Sequence, residues 1–191
     1  MVSRNIQPVK LFALIIGINE YQHYKPHLKG AVKDANEIEY FLIDCLSVPP
    51  NRITKLLDGA ATKQRIIEEF QSLCAHGDNQ PDTGDAILIY FAGHGAKVPA
   101  PEGWDRGEIE TICPVDMSLP DAPEPQITGI PDIVLNELIS QLAEQKGNNI
   151  VGIHYPTALL RAADHNRPSF WTAVMPRMAS ATFMSHLTFA G

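Results

Sequence analysis

The side chain in this 191-residue chain best placed to do chemistry is His94, held between Gly93 and Gly95 at the end of the apolar run Ile87-Leu88-Ile89-Tyr90-Phe91. An imidazole changes protonation near neutral pH and can take up and return a proton during a reaction. Flanking glycines let the backbone turn sharply and come close to a ligand. The pattern suits a catalytic imidazole delivered to a substrate; its alternative is a histidine that serves only the turn. The thiols Cys45, Cys74 and Cys113 are odd in number and lack metal-ligand spacing, which speaks against a disulfide framework and a zinc site. Cys45 and Cys74 fall on helix positions that read as buried and Cys113 on an extended segment, so all three read as packed, reduced thiols rather than nucleophiles.

The elements that must position His94 follow from periodicity. Asp85 to Ala96 reads as a strand covered on both faces, with His94 where the sheet ends, the place where rigid scaffolds put chemistry. Leu11 to Ile18 is an apolar first strand closed by Gly17 and Asn19. The loop Asn19 to Lys29, with Tyr21, His23, Tyr24 and His27, is polar-aromatic and unlike core, and lies at the strand edge where open sheets bind ligands. Ala31 to Leu46 carries apolar residues at Val32, Ala35, Ile38, Phe41, Leu42 and Cys45, the spacing of an amphipathic helix. Arg52 to Leu57 is a second strand, and Thr62 caps a helix with the stripe Ile66, Ile67, Phe70 and Leu73. Glu108 to Val115 is a short extended segment, Met117 to Pro131 a proline-rich loop, and Asp132 to Gln145 a third helix with the stripe Ile133, Leu135, Leu138, Ile139 and Leu142. Strands separated by such helices predict an α/β fold, a mostly parallel sheet with helices on both faces.

Length and composition suit one domain. The net charge of −7 with scattered basic residues excludes a nucleic-acid footprint and makes a basic peptide the more natural partner. No run approaches membrane-spanning length and the N-terminus has no cleavable apolar leader, so a cytoplasmic or nuclear location is expected, with no membrane partner. The expected organisation is an N-terminal arm at 1–10, a domain at 11–150 and an aberrant, poorly ordered tail at 151–191. That tail shows no convincing amphipathic element and few acidic residues.

Four stretches then carry a resemblance: Phe12 to Ile18, Leu28 to Ala35, Tyr90 to Gly95, and Ile112-Cys113-Pro114-Val115-Asp116. In their order and spacing the chain resembles the large-subunit half of caspase-like cysteine peptidases, fungal metacaspases in particular. The resemblance implies a caspase-like three-layer sandwich, truncated here before the nucleophile-bearing strand. In such a peptidase a thiolate attacks the scissile carbonyl, a histidine manages protons and backbone N–H groups hold the oxyanion. It gives His94 the acid–base role and the Gly95 N–H part of the oxyanion hole, against a glycine kept for turn geometry alone. Asp34 matches the acid that lines the primary pocket for Arg or Lys; its alternative is a first-turn carboxylate favoured by the helix dipole. Calcium, which many metacaspases bind, is weakly supported: Pro131 replaces one partner of an acidic pair at Asp132, Ile109 stands where an Asp is usual before Glu110, and Asp116 and Glu110 read as loop residues. No resident metal or other cofactor is expected.

The family nucleophile should follow shortly after Ile150, on the strand after the third helix. Val151 to Tyr155 reads Val-Gly-Ile-His-Tyr, and no cysteine occurs after Cys113. Loss of a nucleophile costs on the order of a millionfold in turnover, so the chain is expected to be inactive as written. Back-translated in one shifted frame, Tyr155 to Asp164 permits Asp-Cys-Ser-x-Ser-Gly-Ser-Gly, close to the family's nucleophile motif, and Arg177 to Thr188 permits His-Gly-Ile and, four residues on, Val-Pro-Pro-Asp-Leu. This is the expectation of a splice or reading-frame error, settled by the coding DNA. The competing expectation is a non-catalytic pseudopeptidase that binds basic peptides or a caspase-like paralogue, with an exposed sheet edge that favours a dimer.

Overall fold

The computed structural model describes residues 10–100, 107–119, 122–123 and 125–159, the last six as backbone only. The expected N-terminal arm, apart from residue 10, and residues 160–191 of the expected tail lie outside the described residues. Bulky apolar and β-branched runs form the strands: β1 (Leu11–Gly17), β2 (Ile53–Leu57), β3 (Ala86–Pro99), β4 (Glu108–Ile112), β5 (Ile130–Pro131) and β6 (Ile150–Leu159). Three amphipathic stretches form α1 (Ala31–Tyr40), α2 (Lys63–Cys74) and α3 (Asp132–Lys146). The first helical segment is shorter than its apolar period suggested, because α1 passes into a π-helical turn at Phe41–Cys45. No helix among the described residues is long and apolar enough to cross a membrane.

Three layers follow from strand alternation. Ala13 and Ile15 of β1 and Tyr90 and Ala92 of β3 pack with Ala31, Ala35 and Leu42 of the first helical segment. Gly17 is needed there, since a Cβ would stand 2.7 Å from the Ala35 Cβ and 2.9 Å from the Ala31 carbonyl oxygen. The alternate residues Phe12 and Leu14 face the other way, where they share a cavity wall with Glu69, Ser72 and Leu73 of α2. α2 and α3 pack together, burying Ile66, Phe70, Leu135 and Leu142. The α3 stripe is narrower than its sequence implies: Ile133 is 47% exposed.

The sheet is mixed, with three of its five pairings parallel. β1 pairs in parallel with β2 and β3, and β3 with β6, while β4 runs antiparallel to β3 and β5 antiparallel to β4. β3 is the common member. On one side it pairs first with β1, as far as Gly17↔Ala92, and then with β4 from Gly95↔Ile112. On its other side it pairs with β6 from Ile87↔Ile150 to Gly95↔Leu159. Two expectations are corrected here. The sheet does not end at His94, because β4 folds back to pair with β3 as far as Pro99. Nor is it truncated at Ile150: the apolar start of β6 finds the open edge of β3, and a parallel strand occupies the place of the nucleophile-bearing one.

Candidate active site

His94 is 3% exposed and lies inside β3. Alternation puts it on the face of Tyr90 and Ala92, the one that α1 covers. It sits where β3 changes partners. The Ala92 carbonyl accepts from Ile18 N–H (2.9 Å) as β1 leaves, and the His94 carbonyl accepts from Cys113 N–H (2.9 Å) where β4 has joined. In the gap between, the His94 N–H donates to the Tyr21 hydroxyl at 2.6 Å. Both backbone groups of His94 thus point to the β1/β4 side, and alternation turns the Gly95 N–H the other way, toward β6. The imidazole Nδ1 is buried with no hydrogen-bond partner among the described residues. Such a group carries a desolvation cost and in native sites calls for an explanation.

The strand opposite supplies one. Gly93 pairs with Pro156 and His94 with Ala158, so β6 carries one extra residue, Thr157, at a bulge beside the histidine. Bulges re-aim side chains and recur next to active sites. No cysteine lies in β6.

The three thiols have separate fates. Cys113 is fully buried, and burial pushes its thiol up to about 12, which leaves almost no thiolate at neutral pH. Cys74 is half-buried, and burial raises its thiol also. Cys45 is exposed, contrary to the buried position its helical spacing suggested, because the π-helical turn rotates it outward. None of the three is in β3 or β6.

Asp34 lies in the first turn of α1, half-buried, with its N–H donating to the Gly30 carbonyl at 2.8 Å. Its carboxylate has no hydrogen-bond or ion-pair partner among the described residues. α1 covers the face of β3 that carries His94. Among the described residues the acids considered for calcium have other contacts. The Asp116 carboxylate accepts the Lys63 N–H at the start of α2 (2.9 Å), Asp132 accepts the Ile133 N–H (2.7 Å), and Glu110 lies 4.0 Å from Lys97. Ile109 is buried, and the described residues hold no group of three or more His, Cys, Asp or Glu that could take a metal.

Tyr21 is the residue that the sequence misplaced. Its loop reads as polar-aromatic and unlike core, yet Tyr21 is 3% exposed and its ring lies against the imidazole, centroids 4.8 Å apart. Gly93 makes room for it: a Cβ there would stand 2.7 Å from the Tyr21 hydroxyl and 2.7 Å from Phe91 Cζ. A Cβ on Gly95 would meet only the Thr111 carbonyl oxygen, at an ordinary 3.5 Å. The two glycines around His94 therefore differ in purpose. The fold needs the first, whereas the second leaves space beside an N–H turned toward β6.

Comparison with known proteins gives these features a family. The family model of the caspase domain matches residues 10–151. Metacaspase-4 of Arabidopsis thaliana is 32% identical over 110 residues, which cover 56% of this chain and 26% of that protein. Metacaspase-1 of Candida albicans is 33% identical over 116 residues, 54% of this chain and 25% of the relative. The chain thus spans about a quarter of the length of these curated relatives. Among solved structures, protein GSU0716 from Geobacter sulfurreducens shares the fold, with a TM-score of 0.54 at 21% identity over 76% of this chain and 48% of that one.

Proposed function

From the premise that this chain belongs to the caspase-domain family, we propose that it is the histidine-bearing part of an endopeptidase that selects Arg or Lys, and that this chain lacks the thiol needed to cut. The observation that carries the reading is the buried Nδ1 of His94, without a hydrogen-bond partner among the described residues, on a residue that pairs with Ala158 of β6. An imidazole left so is ready to take the proton of a thiol placed across from it and to return it to the leaving amine. In this reading the Gly95 N–H, which alternation turns toward β6, would donate to the oxyanion that forms when a thiolate adds to the scissile carbonyl. Asp34 supplies a carboxylate without an ion-pair partner among the described residues, on the helix that covers this face, suited to a guanidinium or ammonium of the substrate.

The test has two arms. The unaltered chain should not turn over a fluorogenic peptide ending in Arg or Lys; turnover that His94→Ala abolishes overturns the inactivity. Ala158→Cys should create a thiol that iodoacetamide alkylates at pH 6, at least tenfold faster with His94 than with His94→Ala. Equal rates overturn the acid–base role.

A second reading is favoured by Asp34: the chain acts as a pseudopeptidase that holds a basic peptide without cutting it. An Arg-ended peptide should then bind the unaltered chain, measured calorimetrically, and Asp34→Asn should weaken binding about tenfold or more. β6 has a described neighbour on one side only, so a caspase-like dimer through that edge belongs to the same proposal, tested by light scattering.

A further inference from the structure

The strand change on β3 leaves one stretch of backbone without a strand beside it, and a side chain fills the space. β1 pairs no farther than Ala92, and β4 begins at Gly95. His94 falls in the interval, where a buried N–H without an acceptor would be costly. Tyr21 supplies the acceptor at 2.6 Å and places its ring 4.8 Å from the imidazole, tilted by 45°.

The phenol is itself held from both directions. Ahead of it, the Asp58 carboxylate accepts the N–H of Asn19 at 2.7 Å and of Glu20 at 3.0 Å. Behind it, Gln22 N–H donates to the Val115 carbonyl at 3.1 Å, and the Tyr24 hydroxyl donates to the Ser118 carbonyl at 2.8 Å. Asp58 adopts a left-handed backbone, φ 44°, which sets its carboxylate under the turn after β1. Packing alone would bury Tyr21 without asking for a hydroxyl, whereas a hydroxyl bonded to the backbone of His94, on a turn clamped at both ends, fixes where the imidazole stands.

We propose that Tyr21 is a positioning residue for His94: its hydroxyl holds the histidine's backbone N–H and its ring sets the imidazole orientation, with Asp58 fixing the turn that presents it. This rests on His94 being the acid–base. A useful acid–base must be held within a few tenths of an ångström of its partner, and here the holding is done by a residue on the loop after β1 rather than by β3 itself.

The test is made on the full 191-residue chain and needs neither a nucleophile nor turnover. Nuclear magnetic resonance of the nitrogen-labelled histidines reads the tautomer and titration midpoint of the His94 ring, and hydrogen exchange reads its amide. Tyr21→Phe should shift the midpoint by about 0.3 units or more, or change the tautomer ratio, and should speed exchange of the His94 amide about tenfold. Tyr40→Phe, at an exposed phenol outside this turn, should change neither. A folded Tyr21→Phe chain with an unaltered ring titration and tautomer overturns the proposal, even where it melts lower, because a purely structural tyrosine would do that. If Tyr21→Phe does not fold, Asp58→Ala perturbs the same turn without touching either ring. It should move the His94 ring signals in a folded chain, and unmoved signals overturn the proposal. A result against Tyr21 leaves the alkylation test of His94 intact, and a failed alkylation test leaves the ring readouts unchanged, so the two failures are told apart.

Discussion

Alanine at the two glycines beside His94 should have opposite consequences. In Gly93→Ala the new methyl would stand 2.7 Å from both the Tyr21 hydroxyl and Phe91 Cζ, against roughly 3.5 Å for a relaxed contact. Tyr21 and Phe91 are both buried, so neither can swing into solvent. Overpacking of this kind costs about 1–3 kcal/mol. If Tyr21 gives way, the His94 N–H loses its acceptor at a further cost of about 1–3 kcal/mol. The sum, about 2–6 kcal/mol, corresponds to a fall in Tm of roughly 4–24 °C for a chain of this length. In Gly95→Ala the methyl meets only the Thr111 carbonyl oxygen at 3.5 Å, so the cost should stay under about 1 kcal/mol. Thermal and urea melts of the three chains by circular dichroism make the comparison. Equal shifts for the two variants, or an undisturbed Gly93→Ala, would refute the claim that Tyr21 occupies the space over Gly93.

Asp58→Ala removes the acceptor of two N–H groups, one half-buried and one exposed, and should cost about 2 kcal/mol in a urea melt; Asp58→Asn, which keeps an acceptor and tolerates the left-handed backbone, should cost less than half as much. Lys146 is fully buried, with its ammonium donating to the Ala75 carbonyl at the end of α2 (2.6 Å). Because its stem fills that space, Lys146→Ala should cost about 3 kcal/mol and Lys146→Met under half of it, and equal losses would show that the ion and not the stem matters. The Cys113 thiol ionises at an ordinary 9.0 when unfolded and near 12 in the fold, where burial disfavours the thiolate. The folded chain therefore keeps the proton that the unfolded chain has lost, and stability should fall as pH rises from about 9 toward 12. Cys113→Ala should flatten that slope in urea melts at pH 8 and 10.5, and an unchanged slope would count against the assignment.

What could be read from the sequence was what periodicity carries. β1, α2 and the start of β3 are visible because their apolar residues recur at the spacing of the surface they bury. His94 was legible for a different reason: an imidazole between two glycines has few uses. Its setting was not legible. The glycines suggested a strand that stops at His94, but Ile109 and Ile112 bring a second strand back along β3 and prolong it to Pro99. Tyr21 escaped because the residues around it, Glu20, Gln22 and His23, are those of an exposed loop. Its burial comes from the interval between β1 and β4 on β3, a fact of pairing and not of local composition. The usable signal was Gly93, a glycine in a run of bulky residues, which in a strand marks close approach of another group. β6 is only half legible, because Ile150-Val151-Gly152-Ile153 has the apolar character of a strand while the residues after it carry no such signal, yet both parts pair with β3.

The way the site is built explains how a chain can keep one half of a dyad without the other. The contacts on the β1/β4 side of His94 all come from residues before Ser118: the end of β1, the turn clamped by Asp58, Tyr21, the space over Gly93, and the Cys113 N–H on the histidine's carbonyl. None of these contacts involves β6. The opposite half needs only that a strand lie along β3: Ile150 to Ile153 pair with Ile87 to Tyr90, and the bulge between Pro156 and Ala158 then sets the pairing at His94. A change of sequence after Ile153, by mutation or by a shift of reading frame, can therefore remove the thiol while the imidazole, its N–H and carbonyl contacts and the strand opposite all stay in place. On the proposed reading, the buried Nδ1, without a hydrogen-bond partner among the described residues, is what such a loss would leave behind.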